Sequence, residues 1–360
     1  MIVRDESRFI EDCLESLTGM VDEIVLVDTG SVDDTLEIAR RFPVKIDHFV
    51  WCDDFSAARN FAIDQASGGW ILYIDADERL SVPDRAHLDD VLADDGKAAW
   101  NLRFHSRVGW TPYAEPRLFR NDPRIRFRGA IHETMRYGID EVCRADGKMI
   151  GTCRLSLQHV GYEDDQSRKN DRNIPLLRKR LEREPDHLYS LWHLGNCLRL
   201  AGDEDGAIAT WTRGAAVAAA RSRNGGRLDD SMSLLSLIKL KFRRGEPVDD
   251  LLRQSQDLYP EQLALRWIAA TRALELGDLE AARPLLESLS AIDSETFLDP
   301  RISYDKALFD YLAMEALALC HFRAQRYAEA AKCYRLAARA HPEPHACEIK
   351  ARLAEARAAR

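Results

Sequence analysis

The chain has 360 residues, which at roughly 150 residues per domain predicts about two domains. Hydrophobic residues make up 46% and charged residues 31% of the composition, which excludes wholesale disorder because a sizeable core can be buried. The formal net charge of −9 argues against a general nucleic-acid-binding protein, and no apolar run reaches the roughly 18–20 residues that cross a bilayer.

The cysteines and the start of the chain bear on its compartment. Eight cysteines are scattered without a C-x-x-C pair, so the sequence indicates neither a zinc ribbon nor a dense disulfide framework. The first residues show no basic segment followed by an apolar one, as a signal peptide would. We therefore expect a cytoplasmic protein with reduced thiols, some of them in the core.

Up to about residue 165, short β-rich segments alternate with amphipathic ones. Three brief apolar segments with β-branched residues are predicted as buried strands: Ile24–Asp28, Val44–Phe49 and Trp70–Asp75. Apolar residues at three- and four-residue spacing predict three helices: Glu11–Met20, Asp34–Arg41 and Phe55–Gln65. This alternation predicts an α/β domain with a mostly parallel sheet. Later strands, Ala98–Phe104 and Met149–His159, no longer alternate with helices and are expected to add mixed or antiparallel members.

From about residue 186 the strand pattern ends, and leucine and alanine follow a helical periodicity interrupted by single glycines. One segment matches the second helix of a tetratricopeptide repeat, with small Ala330 and Ala337 for close helix approach and Tyr334 between them. Weaker copies lie at residues 194–211 and 277–286. Because the spacing is irregular, we predict degenerate repeats, with a plain helical bundle as the alternative.

The change of pattern predicts the domain organisation. Residues 1–165 are expected to form the α/β domain, residues 166–185 a charged linking helix, and residues 186–360 the tetratricopeptide-like helical domain. Such a stack offers a surface for an extended chain or a partner protein, and a homo-oligomer through this domain is a further expectation.

Acidic residues follow the carboxyl ends of the predicted strands, where ligands bind in open α/β sheets. They are Asp5, Glu6, Asp28, Asp53, Asp54, Asp75, Asp77 and Glu78. Carboxylates at neighbouring strand ends repel one another unless they share a positive charge, and Mg²⁺ or Mn²⁺ prefers such oxygen ligands. The alternative is that acidic residues are simply common in loops after strands.

Four segments resemble family 2 glycosyltransferases of the GT-A fold: residues 1–6 (MIVRDE), 23–31 (EIVLVDTGS), 51–60 (WCDDFSAARN) and 70–78 (WILYIDADE). The chain is most similar to a bacterial branch in which this domain precedes a tetratricopeptide region, a branch that includes peptide S-glycosyltransferases. The resemblance implies a Rossmann-like mixed sheet that binds a nucleotide-sugar, expected to be a UDP-sugar.

The resemblance also implies roles for individual residues. The implied nucleotide-sugar-binding residues are Asp28, Arg59, Asp75, Lys169 and Arg172. Asp77 and the later His159 are implied as ligands of Mn²⁺ or Mg²⁺. The structural alternatives are a capped helix after position 28, a helix-surface arginine at position 59 and a hydrogen-bonded histidine at the end of a strand at position 159.

Inversion in one displacement needs a base that takes the proton of the acceptor. Many relatives use an Asp of a Glu-Asp pair, whereas the matching segment here offers His132 and Glu133. We expect Glu133 to be the base and His132 to orient it, and a structural pair on a strand is the alternative. The segments 116–120 and 127–133 resemble acceptor-side strands of the family.

Relatives carry a few more apolar residues before the equivalent of Met1, so the first strand is expected to be truncated. A catalytically impaired head on a helical-repeat binding protein is therefore the alternative function. A nucleotidyltransferase is disfavoured, because residues 1–8 offer no glycine-rich phosphate loop. The expected acceptor is a protein, a peptide or a glycan.

Overall fold

The computed structural model describes residues 1–161, 166–222 and 227–359. The chain divides into two compact units, one built from residues 1–108, 112–185 and 298–301 and the other from residues 109–111, 186–297 and 302–360. The short segment 298–301 belongs to the first unit, where the Ala114 amide donates to the Asp299 carbonyl at 3.1 Å.

The first unit holds the strands. They are β1 (Ile2–Val3), β2 (Ile24–Asp28), β3 (Val44–His48), β4 (Trp70–Leu72), β5 (Glu78–Ser81), β6 (Lys97–His105), β7 (Tyr113–Arg120) and β8 (Met149–His159). Its helices are α1 (Ile10–Leu17), α2 (Thr35–Ala39), α3 (Phe55–Asp64), α4 (Arg85–Ala93), α5 (Arg136–Asp146) and α6 (Gln166–Arg183).

These strands form two sheets. The first has the order β1-β2-β3 and is parallel throughout. The second has the order β4-β7-β6-β8-β5, in which β6 and β8 are parallel and the other neighbours antiparallel. The predicted α/β class, with mixed pairing of the later strands, is confirmed, but β4, predicted as a member of a mostly parallel sheet, pairs antiparallel with β7 in the second sheet.

Apolar periodicity explains the core of this unit. Every residue of β2 is buried, as expected for a strand covered on both faces. Helix α1 buries Ile10, Leu14 and Leu17 on one stripe, because residues spaced three and four apart share a helix face. This stripe packs with Leu26 of β2 in one apolar cluster.

Two predicted strands differ from the structure. Strand β4 ends at Leu72, not at Asp75, because a turn follows in which the Glu78 amide donates to the Asp75 carbonyl at 3.0 Å. Residues 127–133 form a loop rather than a strand. Among the described residues, one isolated antiparallel bridge joins Arg128 to Thr134 in this segment. The backbone of His132 is left-handed, with a φ of 52°.

The second unit is built of helices. They are α7 (Leu188–Leu200), α8 (Glu204–Ser222), α9 (Met232–Arg243), α10 (Asp249–Leu258), α11 (Leu263–Leu276), α12 (Leu279–Ser290), α13 (Ala313–Arg323), α14 (Tyr327–Ala338) and α15 (Pro344–Ala358). Within the described ranges, no helix combines the length and the apolar character that a membrane span requires.

Small residues let these helices approach closely. A Cβ atom at Gly195 of α7 would lie 2.2 Å from Nε1 of the buried Trp211 on α8, so only glycine fits there. On α14, Ala330, Tyr334 and Ala337 are buried as the repeat pattern predicts. The predicted helix-rich, tetratricopeptide-like character of this unit is confirmed.

Candidate active site

A pocket of about 240 Å³ opens in the first unit where β1 and β2 end. Four residues for which the family resemblance implies a binding role line it, namely Arg59, Asp75, Asp77 and Arg172. Other residues of its wall are Arg4, Glu6, Thr29, Trp51 and Phe55. The pocket therefore combines carboxylates, guanidinium groups and aromatic rings in one space.

Arg59 lies on α3, which begins after Asp54, whose side chain caps the helix by accepting from the Ala57 amide. The guanidinium holds Asp75 through both terminal nitrogens, with Nη1–Oδ1 at 2.8 Å and Nη2–Oδ2 at 3.1 Å. Its Nε donates to Oε1 of Glu133 at 2.5 Å. One buried guanidinium thus joins a carboxylate of the pocket to the predicted base.

This ion pair sets the charge of Asp75. Burial alone would raise the pKa of Asp75, but Arg59 outweighs burial and holds that pKa at about 2. For Arg59, burial would lower the pKa, whereas Asp75 and Glu133 raise it above its usual range. Asp75 and Arg59 are therefore both charged at neutral pH.

A second arginine, which is buried, packs against the same tyrosine as Arg59. The Tyr73 ring has Arg59 at 5.3 Å and Arg117 at 4.2 Å from its centre. Arg117 holds Glu78 with two bonds of 2.9 and 3.0 Å and reaches Glu115 at 3.2 Å. Sequence reasoning missed Arg117, Glu115 and Tyr73, because a buried ion pair leaves no periodic pattern.

Carboxylates outnumber guanidinium groups in this network. Four carboxylates take part, those of Asp75, Glu78, Glu115 and Glu133, against the two guanidinium groups just described. Burial raises the pKa of the Glu78 carboxyl, with Arg117 opposing that rise and the Asp75 charge adding to it. Since Asp77 brings a further carboxylate to the pocket, the donor set fits a divalent cation.

Asp77 meets His159 because of strand register. Glu78 of β5 pairs with His159 of β8, which places the preceding Asp77 beside the imidazole, with Oδ2 and Nε2 3.0 Å apart. The Val160 amide donates to the Asp77 carbonyl at 2.8 Å. A Cβ atom at Gly161 would lie 2.4 Å from Asp77 Oδ2. Gly161, which the sequence marks only as a glycine after a strand, therefore makes room for this carboxylate.

Asp28 ends β2 and does not line the pocket of about 240 Å³. Its carboxylate accepts from the Ser31 amide at 3.0 Å and the Gly30 amide at 3.2 Å, and His48 Nδ1 lies at 3.4 Å. Burial would raise the pKa of Asp28, but these hydrogen bonds lower it overall. The carboxylate is thus ionised and holds the loop after β2.

The loop of residues 127–134 carries His132 and Glu133 beside α3. Arg180 on α6 donates to the Ile131 carbonyl at 2.6 Å and to the His132 carbonyl at 3.4 Å. The Glu133 side chain is 10% exposed and pairs with Arg59, and Glu133 is not among the residues that line the pocket. The structure therefore brings the predicted base to the pocket through Arg59 and not directly.

Two basic residues of α6, Arg172 and Lys169, are predicted to bind the nucleotide-sugar. Arg172 lines the pocket, and its guanidinium lies 5.1 Å from the centre of the Phe55 ring. Burial is the main cause that lowers the pKa of Arg172, and the positive charge of Arg4 adds to this effect. Sequence reasoning missed Arg4, which also lines the pocket. The side chain of Lys169 lies outside the described residues.

The chain thus combines an α/β unit that carries acidic residues after its strand ends with a helix-rich, tetratricopeptide-like unit. Residues 1–154 match the family model for glycosyl transferase family 2. The first unit is therefore a family 2 glycosyltransferase domain, as the resemblance implied.

Two curated relatives and one solved structure are similar to the chain. It is 37% identical over 214 residues to a TPR repeat-containing protein of Synechococcus elongatus, covering 56% of this chain and 52% of the relative. It is 32% identical over 225 residues to the SPbeta prophage-derived glycosyltransferase SunS of Bacillus subtilis, covering 58% and 50%. The chain thus spans about half the length of these relatives. The mannosyltransferase PcManGT from Pyrobaculum calidifontis is similar at 17% identity and a TM-score of 0.38, covering 72% and 86%.

Proposed function

We propose that the chain is an inverting, metal-dependent glycosyltransferase that moves a sugar from a nucleotide-sugar, a UDP-sugar, to a protein, peptide or glycan. One observation carries this proposal. Asp75, Asp77 and Arg59, which lie in the segment that matches the glycosyltransferase family, share a pocket with Arg172. Carboxylates for a cation and guanidinium groups for phosphate then stand in one space.

Asp77 and His159 are the residues that would hold Mn²⁺ or Mg²⁺, with Asp75 at the ribose or the same ion. The excess of carboxylates in the network supports a cation at this place. When bound, the ion acts as a Lewis acid that stabilises negative charge on the leaving diphosphate. Arg172, which lines the same pocket, supplies a fixed positive charge to the phosphates.

Glu133 is the proposed base. Its carboxylate pairs with Arg59 Nε through Oε1, and a carboxylate oxygen is the atom that would accept the proton of the acceptor. In the displacement, the acceptor atom forms a bond to the anomeric carbon as the bond from that carbon to the diphosphate oxygen breaks. The acceptor proton passes to Glu133, and the nucleoside diphosphate leaves. His132 immediately precedes Glu133, and its left-handed backbone, with a φ of 52°, is proposed to orient the base.

The helical unit supports a macromolecular acceptor. Stacked helix pairs present broad surfaces suited to an extended chain, which a small acceptor does not need. The similarity to SunS, a glycosyltransferase, and to a TPR repeat-containing protein supports the combination of a transferase domain with a recognition domain. We propose a cytoplasmic enzyme in which the helical unit, directly or as a homo-oligomer, presents the acceptor.

A donor panel tests this proposal. UDP-, GDP-, CDP- and ADP-sugars are incubated with the full chain and Mn²⁺ or Mg²⁺, and release of nucleoside diphosphate is measured. We expect a UDP-sugar to be hydrolysed slowly without an acceptor and the released sugar to show inverted anomeric configuration by NMR. The matched control is Asp77→Asn. Release that persists in chelator, or in Asp77→Asn, would contradict metal dependence, and retention of configuration would contradict inversion.

A further inference from the structure

Arg59 contacts two carboxylates to which the proposed function gives different tasks. Its terminal nitrogens hold Asp75, which faces the donor pocket with 33% of its side chain exposed. Its Nε holds Glu133, the proposed base, at 2.5 Å. The donor side and the acceptor side of the reaction therefore share one guanidinium.

Aromatic packing holds that guanidinium in place. Its central carbon lies 5.3 Å from the Tyr73 ring centre and 5.6 Å from that of Phe127. These two rings meet edge to face at 5.1 Å, and the Arg59 side chain is 12% exposed. In this partly desolvated corner, changes in the charge of one carboxylate act strongly on the pairing with the other.

The backbone around Glu133 is fixed by the same helix. Asn60, the next residue of α3, donates through Nδ2 to the Phe127 carbonyl at 2.9 Å and accepts from the Phe127 amide at 2.8 Å. The Phe55 amide donates to the Ala130 carbonyl at 2.9 Å. Helix α3 therefore positions both the Arg59 guanidinium and the loop that carries Glu133, so the two groups are held together from the same helix.

We propose that Arg59 is a positioning residue that couples Glu133 to the affinity of the pocket for a metal–nucleoside diphosphate complex. The inference rests on the proposed function and deepens it. When substitution removes the Glu133 carboxylate, Arg59 pairs with Asp75 alone and neutralises that carboxylate more fully, so a cation would bind there less well. By reciprocity, Arg59 would pair more strongly with Glu133, and orient this base, when a cation shares the Asp75 charge.

A double-mutant cycle tests this coupling without relying on turnover. Binding of UDP, GDP, CDP and ADP in the presence of Mn²⁺ is measured by calorimetry for the full chain, Glu133→Gln, Arg59→Gln and the double variant. We expect Glu133→Gln to weaken binding about three- to tenfold, a range typical of residues in one charged network. In the Arg59→Gln background, the same substitution should change the dissociation constant by less than about twofold.

Two further variants act as controls. Arg59→Lys keeps the charge, but one ammonium cannot hold both carboxylates in this geometry, so it should remove the coupling as Arg59→Gln does. Glu115→Gln removes a carboxylate of the same network that contacts Arg117, not Arg59, so the Glu133 effect should persist in its background. Should Glu133→Gln fail to fold, Glu133→Asp withdraws the carboxylate from Arg59 while keeping its charge, and should also weaken binding.

The outcomes separate the two proposals. Equal weakening by Glu133→Gln with and without Arg59 means that the charge acts through space and overturns the coupling, although the proposed function stands. Unchanged binding in Glu133→Gln overturns it equally. A wild-type chain that binds none of the four nucleotides with Mn²⁺, and hydrolyses none of the donor panel, removes the proposed function and the coupling together.

Discussion

Gly161→Ala should impair the proposed metal site through a single added methyl group. The new Cβ would lie 2.4 Å from Asp77 Oδ2, 2.8 Å from its Cβ and 3.0 Å from its Cγ. Ordinary contacts begin near 3.4 Å, so the Asp77 carboxylate must move by about 1 Å. A displacement of about 1 Å at a catalytic group can lower a rate on the order of 100-fold. Overpacking itself costs only about 1–3 kcal/mol of folding stability.

The assay is nucleoside diphosphate release as a function of Mn²⁺ concentration, together with calorimetric melting. We expect Gly161→Ala to raise the Mn²⁺ requirement and lower turnover while the first unit stays folded. The matched control is Gly69→Ala, since nothing lies within 4 Å of its added Cβ. If Gly161→Ala matches wild type in turnover and Mn²⁺ dependence, Asp77 does not hold the ion or the contact relaxes without cost, and the reasoning is refuted.

Three other changes have calculable directions. Asp77→Asn should lower donor hydrolysis at least about 100-fold with a melting temperature within a few degrees, because a polar loop residue rather than the core is changed; normal turnover in chelator-treated buffer would contradict this. Gly195→Ala should destabilise the helical unit by about 1–3 kcal/mol, since its Cβ would meet Trp211, and an unchanged calorimetric transition would contradict that. The Met1 amino group donates to the Val25 carbonyl. Its burial, and to a smaller extent the positive charge of Arg59, lowers the pKa of this amino group from 8.0 to about 6. The unfolding free energy should therefore rise from pH 6 to pH 8, because the unfolded chain binds more protons in that window. An apolar five-residue segment fused before Met1 should remove this pH dependence, because the amino group becomes an amide. By filling part of the cavity of about 360 Å³ between β2 and β4, the segment should also raise the unfolding free energy by about 1–3 kcal/mol. A Gly-Ser segment of equal length should not raise it.

Elements with strong local patterns could be predicted from the sequence. Strand β2 spans the predicted Ile24–Asp28 and β8 the predicted Met149–His159, because continuous or alternating apolar residues fix burial locally. Helix α3 begins at the predicted Phe55, where Asp54 supplies a cap. The end of β4 could not be predicted, because a turn whose hydrogen bond joins Glu78 to Asp75 follows an apolar segment that reads as one continuous strand. The loop of residues 127–133 could not be predicted, because hydrogen bonds from the distant residues Phe55 and Asn60 decide it.

The candidate site shows the same division between local and distant causes. The Asp75-Ala76-Asp77 motif is visible in the sequence because it follows one apolar strand, yet what makes these carboxylates useful comes from elsewhere in the chain. His159 reaches Asp77 only through the register of β5 against β8. Arg59 reaches Glu133 only because Asn60 ties α3 to the loop at Phe127. The resemblance of residues 51–60 to the family marks Arg59 as a binding residue, but periodicity could not show that its guanidinium pairs with two carboxylates. The excess of carboxylates over guanidinium groups is therefore a property of the folded network, and it becomes visible only when the partners of each arginine are known.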